Sequence, residues 1–222
     1  MARFRCLVLD HDDTVVQSAE TVNYPAFVEN IRRTHPERLI SFAEFNRHCF
    51  DYGFAGMCRE VLHLTEEELN AGFEYWKTYV RTHIPPAYQG FDEILRRFRA
   101  EGGLICVSSH SGVENISRDY ARNFGFQPDA IYAWELEEKL RKPNPYALQD
   151  IMRRYALQPD ELLMVDDMKT GCDMARACGV PFACAGWSHF DPMIIDFMRE
   201  NSAVYFETVE AFSTYLFGQK ET

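Results

Sequence analysis

The chain has 222 residues, of which 46% are hydrophobic and 26% charged, as in a globular protein with one core, or with a core and a smaller insertion. The formal net charge is −11 and no lysine- and arginine-rich run occurs, which argues against nucleic acid as a partner. No apolar stretch approaches the roughly 18 residues of a membrane helix. The amino-terminal residues also lack the cleavage site of a signal peptide.

The seven cysteines are odd in number and scattered, and no C-x-x-C pair occurs. Several of them lie inside apolar runs. This distribution favours reduced thiols in a core over disulfides or a zinc site. We therefore expect a cytoplasmic protein.

Short apolar runs that each end at a polar or acidic residue predict six buried parallel strands. These runs are Cys6–Leu9, Leu104–Val107, Ala130–Ala133, Leu162–Val165, Phe182–Ala185 and Ala203–Phe206. Apolar residues at helical spacing separate most of the runs, and several helical patterns end at a glycine. This alternation predicts an α/β fold with a doubly wound, Rossmann-like parallel sheet and right-handed crossovers.

Residues 19–85 break the alternation, because successive amphipathic helical patterns occur there without a convincing strand. The following stretch "HIPPAYQGF" would return the chain to the sheet, with Pro85 and Pro86 stiffening it. We therefore expect a core domain formed by residues 1–18 and 86–222. An all-helical domain would occupy residues 19–85.

Polar residues follow the first two predicted strands. Asp10, Asp12 and Asp13 come directly after the first strand, and Ser108 and Ser109 follow the second. In open parallel sheets, ligands bind beyond the carboxyl ends of the strands. We therefore expect a ligand site at this edge of the sheet.

Lys142 follows the third predicted strand, and Asp166 and Asp167 follow the fourth. Carboxylate oxygens are ligands that Mg²⁺ prefers, and a carboxylate can also attack a substrate as a nucleophile. Hydroxyls, backbone N–H groups and a lysine can bind the charge that develops during phosphoryl transfer. The set of residues at this edge predicts phosphoryl transfer assisted by a divalent cation.

Four motifs in this order resemble those of the haloacid dehalogenase-like hydrolase superfamily. The first is an apolar strand that ends in D-x-D-x-T, here residues 10–14, and the second is a strand that ends in Ser108. Lys142, followed by proline, matches the third motif, and the acidic pair at 166–167 matches the fourth. The run "VDDMKTGCDMARACG" resembles the phosphoglycolate phosphatase and β-phosphoglucomutase-like branch, whose members carry a helical C1-type cap between the first two motifs.

The resemblance implies a Mg²⁺-dependent phosphatase that hydrolyses a small phosphorylated metabolite through an aspartyl-phosphate intermediate. Asp10 would be the nucleophile, and Asp12 the general acid and base. The metal ligands would be Asp10, the main-chain carbonyl of Asp12, Asp166 and Asp167. The substrate phosphate would bind to Ser108, Ser109 and Lys142. The helical segment would be a cap that selects the substrate, with Phe54, Met57 and Arg59 as candidate contacts; no oligomeric state follows from the sequence.

Two departures from the family pattern bear on the reaction. Asp13 stands where the family usually has glycine or another small or hydroxylic residue, and we expect it to face away from the metal or to adjust the loop. The mutases of the family carry a histidine after the first motif, where this chain has Val22, and no histidine lies between His11 and His35. This difference favours a hydrolase that transfers phosphate to water over an isomerase.

Three alternatives remain. One is a phosphomutase of the same superfamily. Another is a haloacid dehalogenase or a phosphonatase of the same superfamily. The dehalogenase needs neither Asp12 nor the metal. The phosphonatase needs a cap lysine for a Schiff base, and Lys77 is the only lysine in residues 19–85. The third is a non-enzymatic phosphoacceptor signalling domain, but such domains are shorter, lack a helical insertion and carry their acidic pair on the first strand.

Overall fold

A six-stranded parallel sheet forms the core of the fold in the computed structural model, which describes residues 3–218. The strands are β1 (Cys6–Leu9), β2 (Leu104–Ser108), β3 (Ala130–Tyr132), β4 (Leu162–Asp166), β5 (Phe182–Ala185) and β6 (Val204–Phe206). All six predicted strands are present, and each end lies within one residue of the prediction. The predicted α/β, Rossmann-like fold class is therefore confirmed.

The strand order places the carboxyl end of β1 at a topological switch point. The order is β3-β2-β1-β4-β5-β6, so β1 has β2 on one side and β4 on the other. Leu9 pairs in register with Val107 of β2 and with Val165 of β4. The residues that follow these three strands therefore emerge side by side, at the position where open α/β sheets bind ligands.

Within residues 3–218 the chain forms nine α-helices. They are α1 (Tyr24–Thr34), α2 (Phe42–Gly56), α3 (Glu66–Val80), α4 (Phe91–Ala100), α5 (Val113–Phe124), α6 (Tyr146–Tyr155), α7 (Lys169–Cys178), α8 (Pro192–Asn201) and α9 (Val209–Phe217). None of the helices in this range is long and apolar enough to cross a membrane.

Both faces of the sheet are buried. Side chains alternate between faces along a strand, and Leu7 and Leu9 belong to one hydrophobic cluster with Phe91 of α4 and Phe212 of α9. Val8 projects to the opposite face and is equally buried. The sheet is therefore covered on both sides, which is the usual state of a parallel sheet.

The chain divides into two compact units. The core unit contains the sheet and consists of the residues up to Val16 and from Pro86 onward; the helical unit is Gln17–Pro85. The helical unit has its own hydrophobic cluster, formed by Phe27, Ile31, Phe45, Met57, Cys58, Leu62, Leu64 and Leu69. Capping boxes begin two of its helices, because Ser41 caps α2 and Thr65 caps α3, each with a glutamate three residues later.

Candidate active site

Three carboxylates lie together at the carboxyl ends of β1 and β4. Asp10 follows β1, and its N–H donates to the Val165 carbonyl at 2.9 Å. Asp166 is the last residue of β4 and Asp167 is the next residue. All three aspartates are buried, and each offers an oxygen that lies within 4.8 Å of the other two. The sheet topology therefore assembles a buried acidic cluster from two loops that are far apart in the sequence.

The ammonium group of Lys142 is buried between two of these carboxylates. The lysine lies in the loop between β3 and α6, and its Nζ donates to Asp10 Oδ1 at 2.7 Å and to Asp166 Oδ2 at 2.5 Å. Burial by itself would lower the pKa of Lys142, but the charges of Asp10 and Asp166 outweigh it and raise the pKa. Lys142 therefore carries its positive charge at neutral pH.

One ammonium group does not balance three buried carboxylates. Burial raises the pKa of Asp166 to about 7, with a further contribution from Asp10 that Lys142 opposes. Burial, and then the charges of Asp166, Asp10 and Asp13, raise the pKa of Asp167 well above its ordinary value. A divalent cation among the carboxylates would reverse this repulsion. The cluster fits a hard cation because its donors are carboxylate oxygens.

Asp166 and Asp167 differ in how many of their carboxylate oxygens accept a hydrogen bond. Asp166 accepts hydrogen bonds on both oxygens, from Lys142 and from the N–H of Met168 at 2.8 Å. Asp167 accepts one from the Thr14 hydroxyl at 3.3 Å, on Oδ1. Gly171 in α7 leaves room for Asp166, because a Cβ at this glycine would lie 2.2 Å from Asp166 Oδ2.

The loop after β1 turns sharply at Asp13. Asp13 adopts a left-handed backbone conformation with φ of 57°, which aspartate tolerates better than most residues do. This conformation accounts for the glycine that the family usually has at the position. Asp12 is partly exposed, and its carboxylate is not part of the acidic cluster.

The predicted phosphate-binding residues lie at the end of β2. Ser108 ends the strand, and both Ser108 and Ser109 are buried. The Ser109 hydroxyl accepts the N–H of Ser111 at 3.1 Å, so it stabilises the turn. His110 lies on the same loop, and its Nε2 donates to the Lys142 carbonyl at 3.1 Å. The loop after β2 therefore contacts the segment that carries the buried lysine.

A comparison with protein families decides the assignment. Residues 4–179 match the family model for haloacid dehalogenase-like hydrolases. The chain belongs to the haloacid dehalogenase-like hydrolase family. The predicted superfamily is therefore confirmed, and the chain is a hydrolase by family. No curated protein sequence matches it significantly.

Several solved structures share the fold of this chain. CbbY from Rhodobacter sphaeroides, in complex with phosphate, is 14% identical with a TM-score of 0.71, over 92% of this chain and 94% of that one. A predicted phosphoglycolate phosphatase from Haemophilus somnus is 17% identical with a TM-score of 0.64, over 83% and 86%. A β-phosphoglucomutase-like protein from Bacteroides vulgatus is 18% identical with a TM-score of 0.70, over 95% and 86%. At these identities the similarity establishes the fold, and it agrees with the predicted branch.

A buried contact between His11 and Asp119 of α5 supports the acidic loop of this hydrolase, and sequence reasoning missed it. His11 Nε2 lies 3.1 Å from Asp119 Oδ2, and the two side chains are 1% and 2% exposed. Arg118 also donates to Asp119, from Nη2 at 2.7 Å. Burial lowers the pKa of His11, but the hydrogen bond to Asp119 and the nearby aspartate charges outweigh it and raise the pKa. The residue between Asp10 and Asp12 is thus tied to the core by a charge-assisted hydrogen bond.

The three candidate substrate contacts of the helical unit differ in exposure. Met57 is fully buried in the hydrophobic cluster of that unit. Phe54 is 40% exposed. Arg59 is exposed and pairs with Glu66, with Nε at 2.5 Å from Oε1. A substitution of Met57 would therefore act first on packing, whereas Phe54 and Arg59 lie at the surface of the unit.

Proposed function

We propose that this hydrolase is a Mg²⁺-dependent phosphatase that acts on a small phosphorylated metabolite through an aspartyl-phosphate on Asp10. The observation that carries the proposal is the buried Asp10 carboxylate, held 2.7 Å from the Lys142 ammonium beside Asp166 and Asp167. These residues would supply a nucleophile, a fixed positive charge and metal ligands at one edge of the sheet. Phosphoryl transfer needs these groups, because most of its catalysis is positioning and charge stabilisation.

In the first step, an oxygen of Asp10 attacks the phosphorus atom of the ester. The bond between phosphorus and the leaving oxygen breaks, and Asp12 donates its proton to that oxygen. In the second step, Asp12 takes a proton from water, and the resulting hydroxide attacks the same phosphorus. The bond between phosphorus and the Asp10 oxygen breaks, and inorganic phosphate leaves. Asp10 is then a free carboxylate again, and Asp12 is again protonated.

The remaining residues bind the phosphoryl group. The Ser108 hydroxyl, the loop at Ser109 and the Lys142 ammonium would contact its oxygens, and Lys142 also offsets the charge of Asp10. The carboxylates of Asp10, Asp166 and Asp167 would hold Mg²⁺ together with the main-chain carbonyl of Asp12. When bound, Mg²⁺ supplies positive charge to the phosphate oxygens and to the acidic cluster.

The helical unit would act as a lid that excludes water and selects the substrate. The chain enters this unit after Val16, a few residues beyond Asp10 in the sequence. Among the predicted contacts, the exposed Phe54 and Arg59 are the better candidates for selecting between substrates. Substitutions at these two positions should change which phosphate esters are preferred and have less effect on metal binding.

The phosphonatase alternative is disfavoured by the environment of Lys77. Its Nζ is 2.7 Å from Glu74, and the lysine side chain is 46% exposed. Lysines that form Schiff bases usually lie in an apolar pocket or beside another cationic group. Lys77 instead lies at the surface and pairs with a carboxylate.

The test is an assay of purified protein against a panel of phosphorylated metabolites, with Mg²⁺ and with a chelator. We expect release of inorganic phosphate that needs Mg²⁺ and returns when Mg²⁺ is restored after chelation. Asp10→Asn should nearly abolish turnover, whereas Asp173→Asn, an exposed control in α7, should not. A folded Asp10→Asn protein with more than a few per cent of wild-type activity, or full activity in chelator, would contradict the proposal.

A further inference from the structure

The turn that follows β5 contacts both loops that carry the acidic cluster. This turn runs from Gly186 to His189 and is called here the 186–189 turn. Trp187 donates its Nε1–H to the carbonyl of Thr14 at 3.1 Å. His189 Nε2 lies 2.8 Å from the carbonyl of Asp167. One turn therefore fixes the main chain of the loop after β1 and the main chain of the loop after β4.

The imidazole of His189 is held from both sides. A carbonyl can only accept, so Nε2 must carry the proton that is donated to Asp167. In this tautomer Nδ1 is an acceptor, and the Tyr205 hydroxyl of β6 lies 3.2 Å from it. Gly186 allows the close approach of Tyr205, because a Cβ at this glycine would lie 2.2 Å from the ring Cζ. The orientation of the His189 ring is therefore set by β6 as well as by its acceptor.

The indole of Trp187 is anchored in the hydrophobic core. Its ring centroid lies 5.8 Å from that of Phe91 and 5.7 Å from that of Phe212, and both phenylalanines are fully buried. Edge-to-face and tilted ring contacts of this kind add to the stabilisation that burial provides. The 186–189 turn is thus fixed to the body of the core unit, and it can serve as a rigid support for the two loops.

The acidic loops need such support, because their carboxylates repel one another. β1 and β4 are neighbours in the sheet, and the hydrogen bond from the Thr14 hydroxyl to the Asp167 carboxylate is long, at 3.3 Å. A cation site works only when its ligands stay at the spacing that the ion requires, and groups behind the ligands usually provide this.

We propose that Trp187 and His189 are positioning residues for the cation site, holding the two acidic loops at the spacing at which their carboxylates share one divalent cation. The inference rests on the proposed function, because it takes the acidic cluster to be a cation site. Trp187 and His189 lie outside the four motifs. They follow β5, a strand after which the sequence predicts no functional residue.

The experiment measures Mn²⁺ binding to the purified full chain, by electron paramagnetic resonance of the free ion, together with thermal stability, kcat and KM. His189→Leu removes the donor and should weaken Mn²⁺ binding by about tenfold, within the range found for groups behind metal ligands. His189→Gln keeps an N–H donor near the position of Nε2 and should restore most of the affinity. Trp187→Phe should weaken binding while keeping an aromatic ring in the core.

Trp76→Phe is the matched control, because Trp76 also donates its indole N–H, to Asn23 of the helical unit at 2.9 Å. It should leave Mn²⁺ affinity unchanged. A purely structural role for the 186–189 turn would lower thermal stability in His189→Leu and leave the affinity at the wild-type value, which would overturn the inference. If His189→Leu does not fold, His189→Asn, whose shorter amide does not reach the carbonyl, decides in its place.

The outcomes separate the two proposals. Wild-type protein that binds Mn²⁺, with His189 and Trp187 variants that bind it equally well, contradicts the positioning role alone. Wild-type protein that binds no Mn²⁺ and releases no phosphate contradicts the proposed function, and the inference fails with it.

Discussion

Replacing Asp119 by alanine should destabilise the core unit much more than removing an exposed ion pair does. The Asp119 carboxylate is 2% exposed and accepts from His11 at 3.1 Å and from Arg118 at 2.7 Å. Arg118 is 24% exposed and can turn to water when the carboxylate is lost. His11 is 1% exposed, so its Nε2–H would be left in the interior without an acceptor.

The magnitude follows from that unsatisfied donor. A buried polar group that loses its partner costs about 1–3 kcal/mol, and breaking a buried ion pair costs about 3–5 kcal/mol. An imidazole can release its proton and so avoid the full cost of a buried charge. We therefore expect Asp119→Ala to lower the free energy of unfolding by about 3 kcal/mol, where these two ranges meet. Asp119→Asn keeps an acceptor of the same shape and should cost about 1 kcal/mol.

The assay is urea unfolding followed by tryptophan fluorescence, with the slope of the transition compared between variants. A Trp76→Phe background leaves Trp134 and Trp187 as the fluorescent groups, and both belong to the core unit. Asp173→Ala is the control, because Asp173 is 55% exposed and pairs with Arg176 on the surface of α7. The control should change stability by no more than about 0.5 kcal/mol.

Equal costs for Asp119→Ala and Asp173→Ala would refute this reasoning. So would an asparagine variant that is less stable than the alanine variant, because asparagine preserves the acceptor. Either result would mean that the contact between His11 and Asp119 does not tie the acidic loop to α5.

Three further predictions concern metal binding, packing and pH. Asp167→Ala should raise the Mg²⁺ concentration for half-maximal activity more than Asp166→Ala does, because both oxygens of Asp166 already accept hydrogen bonds. A Mg²⁺ titration of each variant measures this concentration. A larger increase in Asp166→Ala than in Asp167→Ala would contradict the prediction. Gly171→Ala should displace the Asp166 carboxylate, lower kcat and cost about 1–3 kcal/mol in thermal unfolding, whereas unchanged kcat and stability would show that the contact relaxes freely. Hydrogen bonds from the backbone N–H and the hydroxyl of Thr65 lower the pKa of Glu68. The stabilisation of the folded protein by these bonds is therefore fully present above about pH 4.3, the pKa of an unfolded glutamate. It is lost as the pH falls through the lower pKa that Glu68 has in the folded protein. The stability difference between wild type and Thr65→Ala should therefore narrow in acid, and a constant difference would argue against the capping box.

Much of the fold was readable because buried parallel strands leave a strong local signal. Runs such as "CLVL" and "LLMV" are apolar on both faces and end at acidic residues, and both are strands that end at the acidic cluster. The prediction that Asp10, Asp166, Asp167 and Lys142 meet at one edge needed only parallel strands, whose carboxyl ends lie at the same edge of a sheet, and polar residues after those ends. The structure brings these four residues together.

What the sequence could not predict depends on side-chain direction and on partners far along the chain. Asp119 lies in the middle of α5 and looks like any exposed helical carboxylate, yet it is buried against His11. The 186–189 turn follows a strand end, and that position could have marked His189 as a residue of interest. Its acceptor is a main-chain carbonyl, however, and no sequence pattern marks such a contact.

The central claim is that Asp10 carries the phosphoryl group during turnover. The most direct measurement is mass spectrometry of the peptide that contains Asp10, after enzyme turning over its best substrate with Mg²⁺ is quenched in acid. We predict that a fraction of this peptide carries one phosphoryl group, that hydroxylamine removes the group, and that Asp10→Asn protein never acquires it. Phosphate release at the wild-type rate with no modified peptide at any time, or with the group on another residue, would contradict the account.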